Sequence, residues 1–114
     1  MALTMTDRDV GGVTVVDIDG RIVLGEACNS FREKLKGQLA AGKSKIVLNL
    51  QDLSYIDSVG LGTLVAILHS AQSLGAMLKL ANVGKTTKEI LEGANLTKVF
   101  DIYESEARAA SSFE

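Results

Sequence analysis

The feature that most constrains the fold is an apolar run that leads through a short polar turn into a second apolar run. Residues 45–50 read Lys-Ile-Val-Leu-Asn-Leu, and residues 60–73 have the composition of an apolar helix. A strand with so little polar alternation is typical of a parallel sheet that helices cover on both faces. Asp57 and Ser58 stand between the two runs, and both residue types favour helix N-termini because their oxygens accept first-turn N–H groups. We therefore expect Ser58 at or beside a helix N-terminus, at the end of a strand and near the surface.

A hydroxyl in that position is suited to carry an anion. The free N–H groups and the dipole of a helix N-terminus both favour negative charge. A phosphate on the oxygen of Ser58 would therefore be compatible with the predicted fold, and it would add about −1.5 to −2 charge to the face on which it lies.

The helix that follows is more apolar than a surface helix needs to be. One stripe would pack on the sheet, but apolar side chains extend nearly all round its first turns: Leu61, Leu64, Val65, Ala66, Ile67 and Leu68. Two interpretations stay open here. Either neighbouring helices cover the surplus apolar surface, or that surface is a partner-binding face beside Ser58.

Strand and helix patterns alternate along the rest of the chain. An N-terminal hairpin is predicted to turn at residues 10–12, and its second strand to cover residues 13–19. Gly20 is predicted to break this strand, and a short continuation over residues 21–24 stays open. A helix opens at Gly25-Glu26 and ends at Gly42, and later strands are predicted over residues 76–81 and 99–103. Gly93 is expected to cap the helix between those strands, and a final helix to turn two alanines inward, Ala107 and Ala110. The order β-β-α-β-α-β-α-β-α predicts one α/β domain over residues 1–114, a mostly parallel β-sheet with an N-terminal antiparallel hairpin and about four helices packed on it.

The composition argues against several classes of function. The chain is 46% hydrophobic, which is enough for a core without disulfides or metal staples, and its single cysteine is typical of a reducing compartment. A net charge of −2 without any basic run disfavours direct nucleic-acid binding. No apolar run approaches the roughly 18 residues of a membrane span, and the N-terminus lacks a basic region followed by an apolar core. We expect a cytoplasmic protein without membrane insertion.

No combination of side chains predicts catalysis, a metal site or a cofactor. His69 lies about three turns along the predicted helix from Ser58, which exceeds hydrogen-bond reach at about 1.5 Å of rise per residue. Neither His69 nor Cys28 has a second ligand of its type, and Cys28 fits a core position. Asp52 and Asp57 fit a tight turn and a helix cap.

Two glycine-containing motifs give only weak indications of nucleotide binding. The run Gly84-Lys85-Thr86 resembles the end of a phosphate-binding loop, but Lys79 stands where that loop needs its first glycine. The pair Gly60-x-Gly62 lacks a third glycine and fits close packing of a helix start on the sheet. Calorimetry with ATP or GTP tests the remaining nucleotide-binding hypothesis.

The central stretch resembles the signature of the STAS domain, and in particular that of bacterial anti-sigma factor antagonists. The residues that carry the resemblance are Ile46-Val47-Leu48-Asn49-Leu50-x-x-Leu53-Ser54-Tyr55-Ile56-Asp57-Ser58-x-Gly60-Leu61-Gly62. Weaker similarity extends over nearly the whole chain, from residues 16–22 through 77–82 to Val99-Phe100.

The resemblance implies a protein that switches between partners. In such families an anti-sigma factor with serine kinase activity phosphorylates the serine after the aspartate, which is Ser58 here. The unphosphorylated form binds the anti-sigma factor and frees the sigma factor, and a serine phosphatase resets the switch. The resemblance assigns partner binding to the motif and to one residue from the early glycine turn: Asp57, Ser58, Val59, Gly60, Leu61, Gly62 and Arg21.

Two departures from the family pattern bear on the partner. Many relatives have Ser or Thr where this chain has Val59, and some have an acidic residue in the turn that here contains Arg21 and Val23. The alternative function is a STAS scaffold or transporter-associated module that binds its partner without phosphorylation. In that case Ser58→Ala and Ser58→Asp would leave partner binding unchanged.

Overall fold

The computed structural model describes residues 3–113, and within them five strands form one sheet. The strands are β1 (Thr4–Val10), β2 (Val13–Ile22), β3 (Lys45–Ile56), β4 (Met77–Ala81) and β5 (Asp101–Tyr103), and they lie in chain order across the sheet. The pair β1 and β2 is antiparallel and the other pairs are parallel. The predicted α/β class, with its mostly parallel sheet and N-terminal hairpin, is confirmed.

Four helices connect and flank these strands: α1 (Glu26–Ala40), α2 (Ser58–Ser73), α3 (Lys85–Gly93) and α4 (Glu106–Ser111). Helices α1, α2 and α3 bury their apolar side chains in the larger core cluster, together with Val16 and Leu48 of the sheet. The short α4 packs through Ala109 on a second cluster with Val15 and Val47. Because neighbouring residues of a strand point to opposite faces, α4 covers the other face of the sheet.

The two strands that lead to the Asp57-Ser58 turn run past the breaks predicted for them, and the continuation of β2 after Gly20 that the sequence left open is confirmed as far as Ile22. Strand β2 continues through Gly20 to Ile22, because Gly20 adopts a φ of +118° at a register irregularity that lets the pairing with β3 resume. Strand β3 continues six residues beyond Leu50, so Asp52 lies in a strand and its predicted tight turn is wrong. As a result β2 and β3 end side by side.

Two other local predictions are also wrong. The left-handed residue after α3 is Asn95 rather than Gly93, and its N–H donates to the carbonyl of Glu92. In α4 the fully buried alanine is Ala109, and Ala107 is exposed, so its predicted inward position is wrong. Ala110 is half-buried and packs on the second core cluster, as predicted. The predicted end of α1 at Gly42 is confirmed, since Gly42 donates to the carbonyl of Leu39 just past the last turn.

Candidate functional site

The site is built around Asp57, which joins the end of β3 to the start of α2. Its backbone N–H donates to the Ile22 carbonyl oxygen at 3.2 Å, at the end of β2. Its carboxylate accepts the Gly60 N–H at 2.7 Å and the Leu24 N–H at 2.9 Å. Asp57 is therefore the N-cap of α2, and it also fixes the segment that leads from β2 into α1.

The carboxylate of Asp57 is held in its charged form. The N–H groups of Leu24 and Gly60 lower its pKa below the ordinary value, and the positive charge of Arg21 lowers it further. The two backbone N–H bonds give this carboxylate a structural role at the start of α2. The cap predicted for Asp57 is confirmed.

Gly60 lets the first turn of α2 lie directly against the end of β2. A Cβ at this position would be 2.2 Å from the Ile22 carbonyl oxygen and 2.9 Å from Cγ1 of Ile56. No side chain can occupy that space unless the helix moves. Close packing was predicted for both Gly60 and Gly62, but Gly62 is exposed and a Cβ there would have no atom within 4 Å.

Ser58 is the first residue of α2 and is exposed. Its hydroxyl has no hydrogen-bond partner within residues 3–113, because Asp57 rather than Ser58 caps the helix. The side chain therefore contributes no hydrogen bond to the described fold. The predicted placement beside a helix N-terminus and near the surface is confirmed.

Three large apolar side chains remain exposed on the segments that meet at the start of α2. Val59 is 41% exposed, Tyr55 is 40% exposed and Leu24 is 71% exposed. We call these three residues the apolar rim. The guanidinium of Arg21 lies 5.7 Å from the centre of the Tyr55 ring, and Arg21 and Tyr55 are register partners on β2 and β3. The sequence predicted Val59 and Arg21 as partner-binding residues, but it did not single out Leu24 or Tyr55.

Neighbouring structure covers most of the apolar surface of α2. Leu64, Ile67 and Leu68 are buried in the larger core, and Leu61 and Val65 pack against it while half-buried. The interpretation in which other elements cover the helix therefore accounts for the middle of α2. Only its first turn contributes a large apolar side chain, Val59, to the exposed surface beside Ser58.

Residues 3–113 contain no cluster of three or more His, Cys, Asp or Glu side chains placed to hold a metal ion. His69 is exposed on α2, and Cys28 is buried in the core as predicted. None of the four helices described above is both long and apolar enough to cross a membrane.

Comparison with known proteins identifies the family. The model of the STAS domain matches residues 5–109. This chain belongs to the STAS domain family. The match covers the whole site, from Arg21 to Gly62.

Several relatives of this STAS domain are named as anti-sigma factor antagonists. A protein of Thermotoga neapolitana, named as a candidate anti-sigma factor antagonist, is 35% identical over 71 residues, which cover 62% of this chain and 63% of that relative. A crystal structure from Thermotoga maritima, with the same description, has a TM-score of 0.87 at 27% identity and covers 95% of this chain and 92% of that one. The Bacillus cell fate determinant SpoIIAA in its phosphorylated form shares the fold, with a TM-score of 0.72 at 18% identity over 99% of this chain and 100% of that one.

Proposed function

We propose that this STAS protein is an anti-sigma factor antagonist that phosphorylation of Ser58 switches off. In the unphosphorylated form it binds an anti-sigma factor that is also a serine kinase, and so it frees a sigma factor. A serine phosphatase removes the phosphate and resets the switch. The protein acts in the cytoplasm as a binding module, without catalysis, a cofactor or direct contact with nucleic acid.

The observation that carries the proposal is the exposed hydroxyl of Ser58 at the start of α2, where segments with exposed apolar side chains meet. Ser58 is exposed and its side chain makes no hydrogen bond within residues 3–113, so a kinase can reach it without unfolding α2. The apolar rim of Leu24, Tyr55 and Val59 provides the contact area that a partner needs around it. The relatives named as anti-sigma factor antagonists support this reading of the surface.

The physical basis of the switch is the cost of burying a charge. A partner that covers the apolar rim also covers Ser58, and a phosphate would bring a charge of about −1.5 to −2 into that interface. An unpaired charge buried in an interface costs roughly 2–5 kcal/mol. About 4 kcal/mol corresponds to roughly a thousandfold loss of affinity, which is enough to release a partner.

The predicted partner-binding residues divide into two groups by what they do in the fold. Asp57, Gly60 and Leu61 shape and hold the first turn of α2, so they act on the partner through the position of Ser58. Val59, Gly62 and Arg21 are exposed and are available for direct contact. We propose Leu24 and Tyr55 as further contact residues.

The kinase reaction is the first test. The unphosphorylated protein is used to recover its anti-sigma factor from the native cell, and the recovered kinase is then incubated with ATP and each variant. We expect one phosphate on the wild type and none on Ser58→Ala, measured by intact mass and peptide sequencing. Ser70→Ala is the matched control, because Ser70 is exposed on the same helix, and it should accept phosphate like the wild type. Phosphate transfer to Ser58→Ala would contradict the proposal.

Partner binding separates the switch from the alternative of a phosphorylation-independent module. Ser58→Ala should retain the anti-sigma factor, whereas Ser58→Asp should bind it more weakly because the carboxylate adds charge to the interface. Equal binding by wild type, Ser58→Ala and Ser58→Asp would favour the scaffold or transporter-associated module.

A further inference from the structure

We propose that Arg21 is the intramolecular counter-ion of phosphorylated Ser58, and that phosphorylation draws its guanidinium from the Tyr55 ring to the phosphate. The inference rests on the proposed function, since it concerns the form of the protein that carries phosphate on Ser58. It assigns to Arg21 a role in the released state as well as in partner contact.

Asp57 already occupies part of the N-terminus of α2. The Gly60 N–H donates to the Asp57 carboxylate, and the Leu61 N–H donates to the Asp57 carbonyl at 2.8 Å. A phosphate on Ser58 would therefore enter beside a carboxylate that is held ionised. Two neighbouring anions repel each other, and a nearby cation would relieve that repulsion.

The end of β2, which carries Arg21, lies beside the start of α2. Ile22, the next residue of β2, accepts the Asp57 N–H, and its carbonyl lies under Gly60 in the first turn of α2. Arg21 itself is opposite Tyr55, three residues before Ser58. The charge of Arg21 already lowers the pKa of Asp57, the residue adjacent to Ser58, so its field reaches the helix start.

The guanidinium of Arg21 is free to move. Within residues 3–113 Arg21 forms no ion pair with a carboxylate, and it is exposed. Its contact is with the face of Tyr55, with 5.7 Å between Cζ and the ring centre. An exposed cation–π contact is worth about 0.5–1 kcal/mol, whereas arginine can bind phosphate through two parallel charge-assisted hydrogen bonds. The phosphate is the better partner for Arg21.

This rearrangement would change the docking surface in two places. The phosphate adds charge at Ser58, and the departure of Arg21 uncovers one side of the Tyr55 ring within the apolar rim. A partner that fits the unphosphorylated arrangement would meet both changes.

The test uses protein with phosphoserine installed at position 58 during synthesis, so it needs no kinase. The second pKa of phosphoserine is about 6, and ³¹P NMR measures it directly in a pH titration. We expect the phosphate pKa to be lower in the wild type than in Arg21→Gln by about half a unit or more, because a paired cation favours the dianion. Arg21→Lys should keep part of this shift.

The matched control is Arg108→Gln, which removes one positive charge from α4 on the other side of the sheet. It should leave the phosphate pKa at the wild-type value, which separates a local ion pair from a change in net charge. The Tyr55 ring resonances give a second readout, because phosphorylation should shift them more in the wild type than in Arg21→Gln.

Equal phosphate pKa values in the wild type and Arg21→Gln would overturn the inference. Because the phosphate is installed without an enzyme, this outcome is independent of whether a kinase modifies Ser58. Failure of the kinase experiment would contradict the proposed function while leaving the titration result intact.

Discussion

At the scale of single residues, the two glycines near the start of α2, Gly60 and Gly62, need different explanations. Gly60 is buried and its missing side chain is required, because any Cβ would collide with the Ile22 carbonyl. Gly62 is exposed with open space around it, and its φ is not positive. Glycine inside a helix destabilises it by roughly 0.5–1 kcal/mol relative to alanine, so the fold alone would favour alanine at 62. Under the proposed function, the missing side chain at Gly62 would allow the close approach of a partner.

Alanine substitutions distinguish these two causes. Gly60→Ala should lower the free energy of unfolding by about 1–3 kcal/mol, because the added methyl group overpacks the contact between α2 and β2. Gly62→Ala should instead raise it by about 0.5–1 kcal/mol, and it should weaken capture of the anti-sigma factor. Urea unfolding measures both changes. Equal destabilisation by the two substitutions would show that the fold itself requires glycine at position 62.

At the scale of elements, the six-residue helix α4 depends on contacts with the sheet. A helix of this length is not stable by itself in water. The β1 residue Arg8 forms a salt bridge with Glu106 at its start, and Lys79 of β4 donates to the Ser112 hydroxyl at 2.6 Å just past its end. The ammonium of Lys79, a residue only 6% exposed, also lies 4.2 Å from the centre of the Phe113 ring. The contacts at its two ends, together with buried Ala109, hold α4 on its face of the sheet.

The contact between Lys79 and Phe113 can be measured as a contribution to stability. Phe113→Ala should lower the free energy of unfolding by about 1–2 kcal/mol, since it removes both apolar area and the aromatic face over the ammonium. Phe113→Leu keeps apolar bulk without the ring, so it should cost less. Urea unfolding gives the totals, and amide hydrogen exchange of α4 shows whether the loss is local. If Phe113→Ala left the free energy of unfolding unchanged, Arg8 and Ala109 would hold the helix without this contact.

The wrong element boundaries share a physical cause. Gly20 and Asp52 were expected to break strands because glycine and aspartate favour turns. Both lie instead within the paired β2 and β3, where ladder hydrogen bonds to a neighbouring strand outweigh local preference. Such a neighbour is distant in sequence, so a local pattern cannot reveal it.

At the scale of the whole molecule, three ionised carboxylates tie separate elements together. Asp7 of β1 pairs with Lys34 of α1 at 2.6 Å, Asp17 of β2 pairs with Arg8 of β1 at 2.6 Å, and Asp57 joins the ends of β2 and β3. The pKa of each carboxyl is lowered: that of Asp7 mainly by Lys34, that of Asp17 mainly by Arg8, and that of Asp57 mainly by the Leu24 N–H. Protonation would weaken all three connections.

Acid should therefore destabilise the protein through these groups. Each carboxyl has a folded-state pKa below the ordinary value of 3.8, so its stabilisation is complete above that value and is lost as pH falls through the folded-state pKa. Asp17→Asn should reduce stability near neutral pH and make the remaining decline in acid shallower. Urea midpoints measured from about pH 7 to about pH 3 check both effects. If the stability of Asp17→Asn fell as steeply in acid as that of the wild type, Asp17 would not contribute to the acid sensitivity.

The sequence by itself determined the order of the elements, the α/β class and the place of Ser58 at the start of a helix. These follow from hydrophobic period and from capping, which act between residues close together in the chain. The tertiary structure decided which segments of the chain meet near Ser58. The carboxylate of Asp57 binds the N–H of Leu24, 33 residues away, and the register of β2 on β3 sets Arg21 beside Tyr55. The proposed docking surface combines residues from three segments, so it depends on strand register, and register is a property of the folded sheet rather than of any one segment.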